Sequence, residues 1–248
     1  MEFNFEEIFN VVLTNRQKAW DKRSEGYVRP INIVKPSSIG ECLRKQYFDD
    51  AGMGEKPDDK LLQIFAHGNL IHDQFIYPVL KEWAERKKNL VFINEYPLLC
   101  NYVYKDTVLQ IKGFVDDLLM ETRPDEITFT PIEAKSIGDR FFRLREPDYT
   151  HQIQVQMYME LLDAEEGYVL YVHKGTLASK SFLIKRSRKI FEEVMKRAER
   201  LYDCKKEGTI PEAEAMIHKE DFWFKKKCDW CPYLEFCKSQ EQGEIKSE

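Results

Sequence analysis

An α/β fold is what this sequence predicts, and three observations predict it. Residues 108–135 read as two antiparallel strands, 108–121 and 127–135, with turn residues between them. Segments with the apolar period of helices lie on both sides of that stretch. The 248 residues suffice for one sizeable core, or one core with a small appendage. Hydrophobic residues at 43% and charged residues at 33% match an ordinary soluble globular protein. No run of about 18 apolar residues occurs. The N-terminus Met-Glu-Phe-Asn-Phe-Glu-Glu lacks the basic-then-apolar pattern of a signal peptide. A cytoplasmic protein with no membrane partner is expected. The net charge of −5 is not the global mark of a nucleic-acid binder, so contacts with nucleic acid must come from local basic patches.

Taken in order, residues 3–24 carry Phe5, Ile8, Phe9, Val12, Leu13 and Trp20 at helical spacing. After an extended stretch from Val28 to Pro36, Ser37 or Ser38 caps a helix through Phe48, with Glu41 completing the capping-box pattern, and Gly52 and Gly54 end it. A long helix follows over 59–88, which Pro78 kinks or divides. Residues 91–96 and 102–104 read as strand material. Then comes the hairpin, strands 108–121 and 127–135, with Pro124 and Asp125 at its tip. The loop Arg140-Phe-Phe-Arg-Leu-Arg145 interleaves basic and aromatic residues, a pattern suited to a strand-tracking groove with stacked bases. A helix over 147–163, strands at 167–173 and 181–184 and a helix over 187–205 complete the chain before a polar tail.

The chemistry concentrates on the hairpin. Side chains alternate along a strand, so Glu133 and Lys135 share a face while Ala134 points away, and the hairpin brings Asp116 beside them. Two carboxylates so close repel unless a cation lies between them, and oxygen donors suit Mg²⁺ or Mn²⁺. Such a site fits a phosphodiester hydrolase in which Lys135 orients water and offsets developing negative charge. Asp117 should face oppositely to Asp116 and is left out of the metal site. On the preceding helix Gly68 lies one turn before His72, which lets another element approach the imidazole. On the following helix Gln154 and Tyr158 share a face.

Gly68-x3-His72, Gly113-x2-Asp116, Glu133-x-Lys135 and Gln154-x3-Tyr158 occur in the order seen in RecB-like exonucleases, and the chain resembles the PD-(D/E)XK nuclease superfamily. The resemblance implies a restriction-endonuclease-like core, a central mixed sheet flanked by helices. It implies a metal held by His72, Asp116 and Glu133, with Ala134 included in the metal-binding set. Asp116, Glu133, Lys135, Gln154 and Tyr158 are the implied catalytic residues, the last two positioning the phosphate backbone. Val115 stands where a proline precedes the metal aspartate in much of the superfamily, which is common among RecB-like members.

Six cysteines in an intracellular chain point to metal binding or burial rather than disulfides. Cys42 together with Cys228-x2-Cys231-x5-Cys237 is similar to the iron–sulfur staple of AddB-type and CRISPR-associated Cas-four nucleases, as is the Cys-x-Arg-x-x-Tyr run through Arg44 and Tyr47. The resemblance implies a structural [4Fe–4S] cluster, with zinc at the same thiolates as the alternative. Closing a loop of about 185 residues would stabilise the fold by several kcal/mol. Cys100 and Cys204 fit neither pattern. The expected organisation is a helical segment 1–58 contributing Cys42, a nuclease core 59–206, and a cysteine-bearing segment 207–248 packing back on the N-terminal part. The expected activity is a metal-dependent DNA exonuclease favouring single-stranded ends, with protein partners in recombination, repair or CRISPR adaptation. A structure-specific endonuclease and a non-catalytic nucleic-acid-binding subunit remain the alternatives.

Overall fold

The computed structural model describes residues 5–24, 29–53, 58–218 and 227–244. The expectations for Val28, Gly54 and the side chains of Phe5, Ile8, Phe9 and Trp20 lie outside the described residues. The architecture follows from one long strand, β3 (Thr107–Arg123). On one edge β3 pairs antiparallel with β2 (Leu90–Tyr104) from Leu90↔Glu121 to Tyr104↔Thr107. On the other edge it meets two partners in succession. β1 (Ile33–Val34) pairs parallel at Gln110 and Ile111, and β4 (Glu126–Ile137) pairs antiparallel from Arg123↔Glu126 as far as Asp117↔Ile132. Residues 112–116 pair with neither. β4 continues beyond this point parallel to β5 (Glu166–His173), and β6 (Ser179–Lys185) pairs antiparallel with β5. The sheet is therefore mixed, as expected, and it forks between Asp116 and Glu133.

Helices cover both faces. α6 (Tyr149–Leu162) and α7 (Arg188–Glu207) bury Ile153, Met157, Phe191, Val194, Met195 and Leu201 against Leu109 and Ile111. Asp148 caps α6 by accepting from the Thr150 N–H, and Ser187 caps α7 by accepting from that of Ile190. Against the other face lie α3 (Asp59–Ile71), a π-helical turn (His72–Ile76) and α4 (Tyr77–Glu85). The single helix expected over 59–88 is thus broken before Pro78. That proline falls in the first turn of α4, where its missing N–H costs nothing. The two short strands expected over 91–104 are one, because pairing with β3, interrupted only between Asn94↔Asp117 and Tyr96↔Val115, overrides the local Pro97 and Asn101. The helix expected from Ser38 begins later, as α2 (Leu43–Asp50) with Cys42 at its N-cap, so the capping box does not form. The expected loop at 140–145 contains a single helical turn, α5 (Arg140–Arg143).

The C-terminal part returns to α2. Glu214, which opens α8 (Glu214–Ile217), is 6% exposed and accepts the Leu43 N–H at 3.0 Å while its carboxylate pairs with Arg197 at 2.8 Å. It thereby caps α2 and neutralises a half-buried guanidinium. Arg44 donates to the Pro211 carbonyl at 2.6 Å, Tyr233 donates to Asp49 at 2.7 Å, and Phe48 packs on the rings of Tyr233 and Phe236. Phe236 belongs to α9 (Leu234–Glu244), which follows a 3₁₀ turn (Cys228–Trp230). α1 (Phe5–Ser24) is tied to α3 by bonds from Thr14 to Asp59 and from Gln63 to Asn10. Among the described residues no helix is long and apolar enough to cross a membrane. Breaking the buried Glu214–Arg197 pair should be costly: Glu214→Ala is expected to lower the unfolding free energy by about 3 kcal/mol in urea titrations. Glu212→Ala, which removes a surface partner of Arg200, should cost under about 1 kcal/mol.

Candidate active site

At the fork, strand residues lose one set of ladder partners and side chains fill in. The Ala134 N–H donates to Asp116 Oδ2 at 3.2 Å, replacing the bond that β3 would have offered. Because the N–H and C=O of one strand residue point to the same side, the Ala134 carbonyl also faces the fork. Lys135 Nζ forms an ion pair with Glu133 and lies 3.6 Å from Asp116 Oδ2. Glu133 is fully buried. The hairpin thus brings Asp116, Glu133 and Lys135 together.

His72 opens the π-helical turn after α3, a distortion that often marks functional positions. It shares a groove with Asp116, Ala134, Lys135 and Ser136. Its nearest acid, however, is Asp117, with Nε2 3.4 Å from Asp117 Oδ2. Strict alternation from Val115 would aim Asp117 at α6. Instead Val115 and Leu118, three residues apart, both pack with Tyr158, and so do Ile93 and Tyr96 on β2. Facing slips by one where Glu95 adopts a positive φ of 50°. That left-handed conformation costs a non-glycine residue about 1 kcal/mol or more. The slip carries Asp117 to the His72 side, correcting the expectation that it faces away from the site. Asn94 holds the switched segment by donating to the Asp116 carbonyl at 2.9 Å. At Gly68 a Cβ would make only ordinary contact with the Ser136 hydroxyl at 3.5 Å, so packing does not demand a glycine there.

Gln154 and Tyr158 sit below the fork, 5% and 1% exposed. The Tyr158 hydroxyl accepts from Gln154 Nε2 at 2.5 Å and donates to the Phe114 carbonyl at 2.7 Å. Phe114 belongs to the unpaired stretch of β3, and its β2 partner Pro97 has no N–H to offer. As placed, then, both side chains hold β3 two residues before Asp116. His151, on the same helix, bonds to the Tyr171 hydroxyl at 2.7 Å. Burial, with Lys135 nearby, lowers its pKa to about 4.

The acids and His72 are strongly perturbed. Burial, reinforced by Asp116 and opposed by Lys135, raises Glu133 to about 8. Burial works against the charge of Lys135, but Glu133 and Asp116 more than restore it and its pKa rises. Asp117 raises His72 to about 9 against the opposing effect of burial, with Asp116 adding to the rise. His72 Nε2, Asp117 Oδ2 and both Glu133 carboxylate oxygens are buried without a hydrogen-bond partner. Such orphans are rare in folded proteins and call for an ion or an ordered water. As the side chains stand, no three His, Cys, Asp or Glu among the described residues close around one point. The donor set at the fork, the Asp116 carboxylate and the buried Glu133 carboxylate beside the His72 imidazole, nevertheless suits a hard or borderline divalent cation.

A model of the PD-(D/E)XK nuclease superfamily matches residues 38–238. The chain belongs to that superfamily. No curated protein matches it in sequence. The crystal structure of SSO0001 aligns with a TM-score of 0.58 at 16% identity, over 96% of this chain and 98% of that one, and shows the same fold. An alkaline exonuclease from Laribacter hongkongensis aligns at 0.47 with 9% identity, over 77% of this chain and 94% of its own. A phage-related exonuclease from Haemophilus somnus 129PT aligns at 0.40 with 14% identity, over 67% and 81%. α1 lies ahead of the matched region, yet Gln17 lines the same groove as Phe65, His72 and Asp116. Cys42, Cys228, Cys231 and Cys237 line a separate cavity with Arg44, Phe48 and Tyr233. Burial raises Cys228 to about 11, with Cys42, Cys231 and Cys237 adding to the rise. Arg44 Nη1 lies 3.6 Å from Cys237 Sγ. Cys100 and Cys204 are half-buried and stand apart from that cavity.

Sequence reasoning missed Asp117, Asn94 and Glu95. The acid doublet Asp116-Asp117 was the available signal for the first; the strand slip that uses all three has no local signature.

With Glu133 raised to about 8 and His72 to about 9, each would carry a proton at pH 7 without metal, and a cation bound there would displace both. Mn²⁺ binding at pH 7 is expected to release about one to two protons, with apparent affinity rising as pH approaches about 9. Calorimetry in two buffers of different ionisation enthalpy measures both. Binding without proton release would contradict these protonation states.

Proposed function

We propose that this superfamily member is a divalent-metal-dependent DNA exonuclease of the RecB-like kind, with a preference for single-stranded ends. The observation that carries this reading is the fork of the sheet, where Asp116, Lys135 and the fully buried Glu133 meet beside the His72–Asp117 pair. In this reading His72, Asp116, Glu133 and the Ala134 carbonyl hold Mg²⁺ or Mn²⁺. When bound, the ion supplies Lewis acidity and a more acidic water. Lys135 is charged and within reach of both acids, so it orients water and offsets negative charge on the phosphate oxygens as the new P–O bond forms and the bond to the departing sugar oxygen breaks. Gln154 and Tyr158 fix the β3 end of the fork through Phe114, and so set the distance between Asp116 and the scissile phosphate.

The single-strand preference rests on the rim. Phe142 of α5 is 58% exposed and lies against the His173 ring at 4.7 Å between centroids, with Arg140 and Arg143 on the same turn. Unpaired bases stack on such rings, while the guanidiniums follow the backbone. The four cysteines fit a [4Fe–4S] cluster with a structural role, since they join α2 to the C-terminal segment across most of the chain. Zinc is the alternative occupant. Roles in recombination, repair or CRISPR adaptation all suit this chemistry.

Incubation of cluster-replete protein with end-labelled linear DNA and Mn²⁺ tests the activity. Degradation of linear single strands, sparing of circular ones, and a loss of about a hundredfold or more in Lys135→Ala are expected. Uncut linear DNA across divalent metals would leave a binding subunit as the function, and cleaved circles an endonuclease. For the cysteines, anaerobically purified protein should be brown, absorbing near ~400 nm, and should lose that band in Cys237→Ser. Colourless protein carrying zinc would transfer the site to the alternative.

A further inference from the structure

We infer that the α3 wall of the groove is a base-stacking subsite for single-stranded DNA, with Phe65 as its platform. This rests on the nuclease reading of the site and says how that site holds its substrate. Phe65, Gly68 and His72 follow one another at three- and four-residue spacing, so they lie along one face of the helix, and all three line the groove that contains Asp116 and Lys135. The helical rise puts Phe65 about 10 Å from His72 along the axis. Phe65 is 51% exposed and its neighbour Ile64 45%, so the fold leaves a large apolar surface uncovered beside the candidate acids. Gly68 stands between the ring and the imidazole. Glycine is unfavourable inside a helix, and packing does not require it here, since an added Cβ would make only ordinary contact with the Ser136 hydroxyl at 3.5 Å. The missing side chain keeps the floor of the groove bare between Phe65 and His72.

The two walls of the groove differ in chemistry. On the α3 side Ile64, Phe65, Gly68 and Asn69 carry no charge. Across from Gly68, β4 supplies Lys135 and Ser136, and Lys174 extends that wall, its N–H held by the Ile137 carbonyl at 2.9 Å. Asp73, Glu95 and Asp116 line the same groove, which therefore has no general excess of positive charge. A strand whose phosphates follow the two lysines turns its bases toward α3. Bases in a duplex already stack on their neighbours, whereas an unpaired base offers a free face to an aromatic ring. Because Phe65 and Asp116 share one groove, the occupant of the α3 wall is the strand whose phosphate reaches the acids.

Fluorescence anisotropy with two labelled probes tests this, a short oligothymidylate and an abasic strand with the same number of phosphates, both with Ca²⁺ in place of Mn²⁺. Phe65→Ala should weaken oligothymidylate binding by about 5–100-fold and leave the abasic strand's affinity unchanged, while Phe65→Trp keeps both. Gly68→Leu, which suits a helix and fills the floor, should keep its melting temperature and lose affinity for both probes. Equal losses on the two probes in Phe65→Ala would show that the ring only shapes the groove, and no loss on either would show that it touches no base; each overturns the inference. Dimerisation of the wild-type protein that Phe65→Ala abolishes would give the wall to a second copy and overturn it as well. If linear single strands are still degraded with Mn²⁺ in any of these cases, the nuclease reading stands and only the subsite falls. A wild-type protein that binds neither probe and leaves linear DNA intact would remove both.

Discussion

The constraint on which the site depends is the interrupted pairing along one edge of β3. Between β1 and β4, residues 112–116 have no strand partner, and the backbone groups left over must be satisfied by side chains. Asp116 takes the Ala134 N–H and Tyr158 takes the Phe114 carbonyl. The candidate groups therefore stand at the fork because an unbroken ladder there would have closed the space they occupy.

Burial sets the electrostatics of that space. A fully desolvated Glu133 beside Asp116 holds its proton more tightly than an exposed carboxylate, and Lys135 only partly offsets this. His72 is pulled the other way by Asp117. The result is a group of buried polar atoms that the protein alone does not satisfy, a state that folding tolerates where a ligand compensates it. The strained backbone at Glu95 belongs to the same economy of the site: a local cost accepted where it redirects an acid.

At the other end of the molecule, α2 acts as the anchor for the C-terminal segment. Its N-terminus is capped by Glu214, its Arg44 reaches Pro211, and its Phe48 receives Tyr233 and Phe236. Cys42 at the N-cap faces the cavity shared with Cys228, Cys231 and Cys237. Lys227, next to Cys228, also lies 3.4 Å from Asp148, the cap of α6, so the cysteine-bearing turn touches the helix that carries Gln154 and Tyr158.

By itself the sequence determined the α/β class, the hairpin with Asp116, Glu133 and Lys135, the helix carrying His72 and the grouping of four cysteines, because alternation, helical period and residue spacing are local properties that survive in one dimension. The order of the strands, the fork, the partnership of His72 with Asp117 and the inward commitment of Gln154 and Tyr158 were decided only in three dimensions. Each depends on which backbone groups a neighbouring strand leaves unpaired, and on a one-residue slip in facing that no local pattern records.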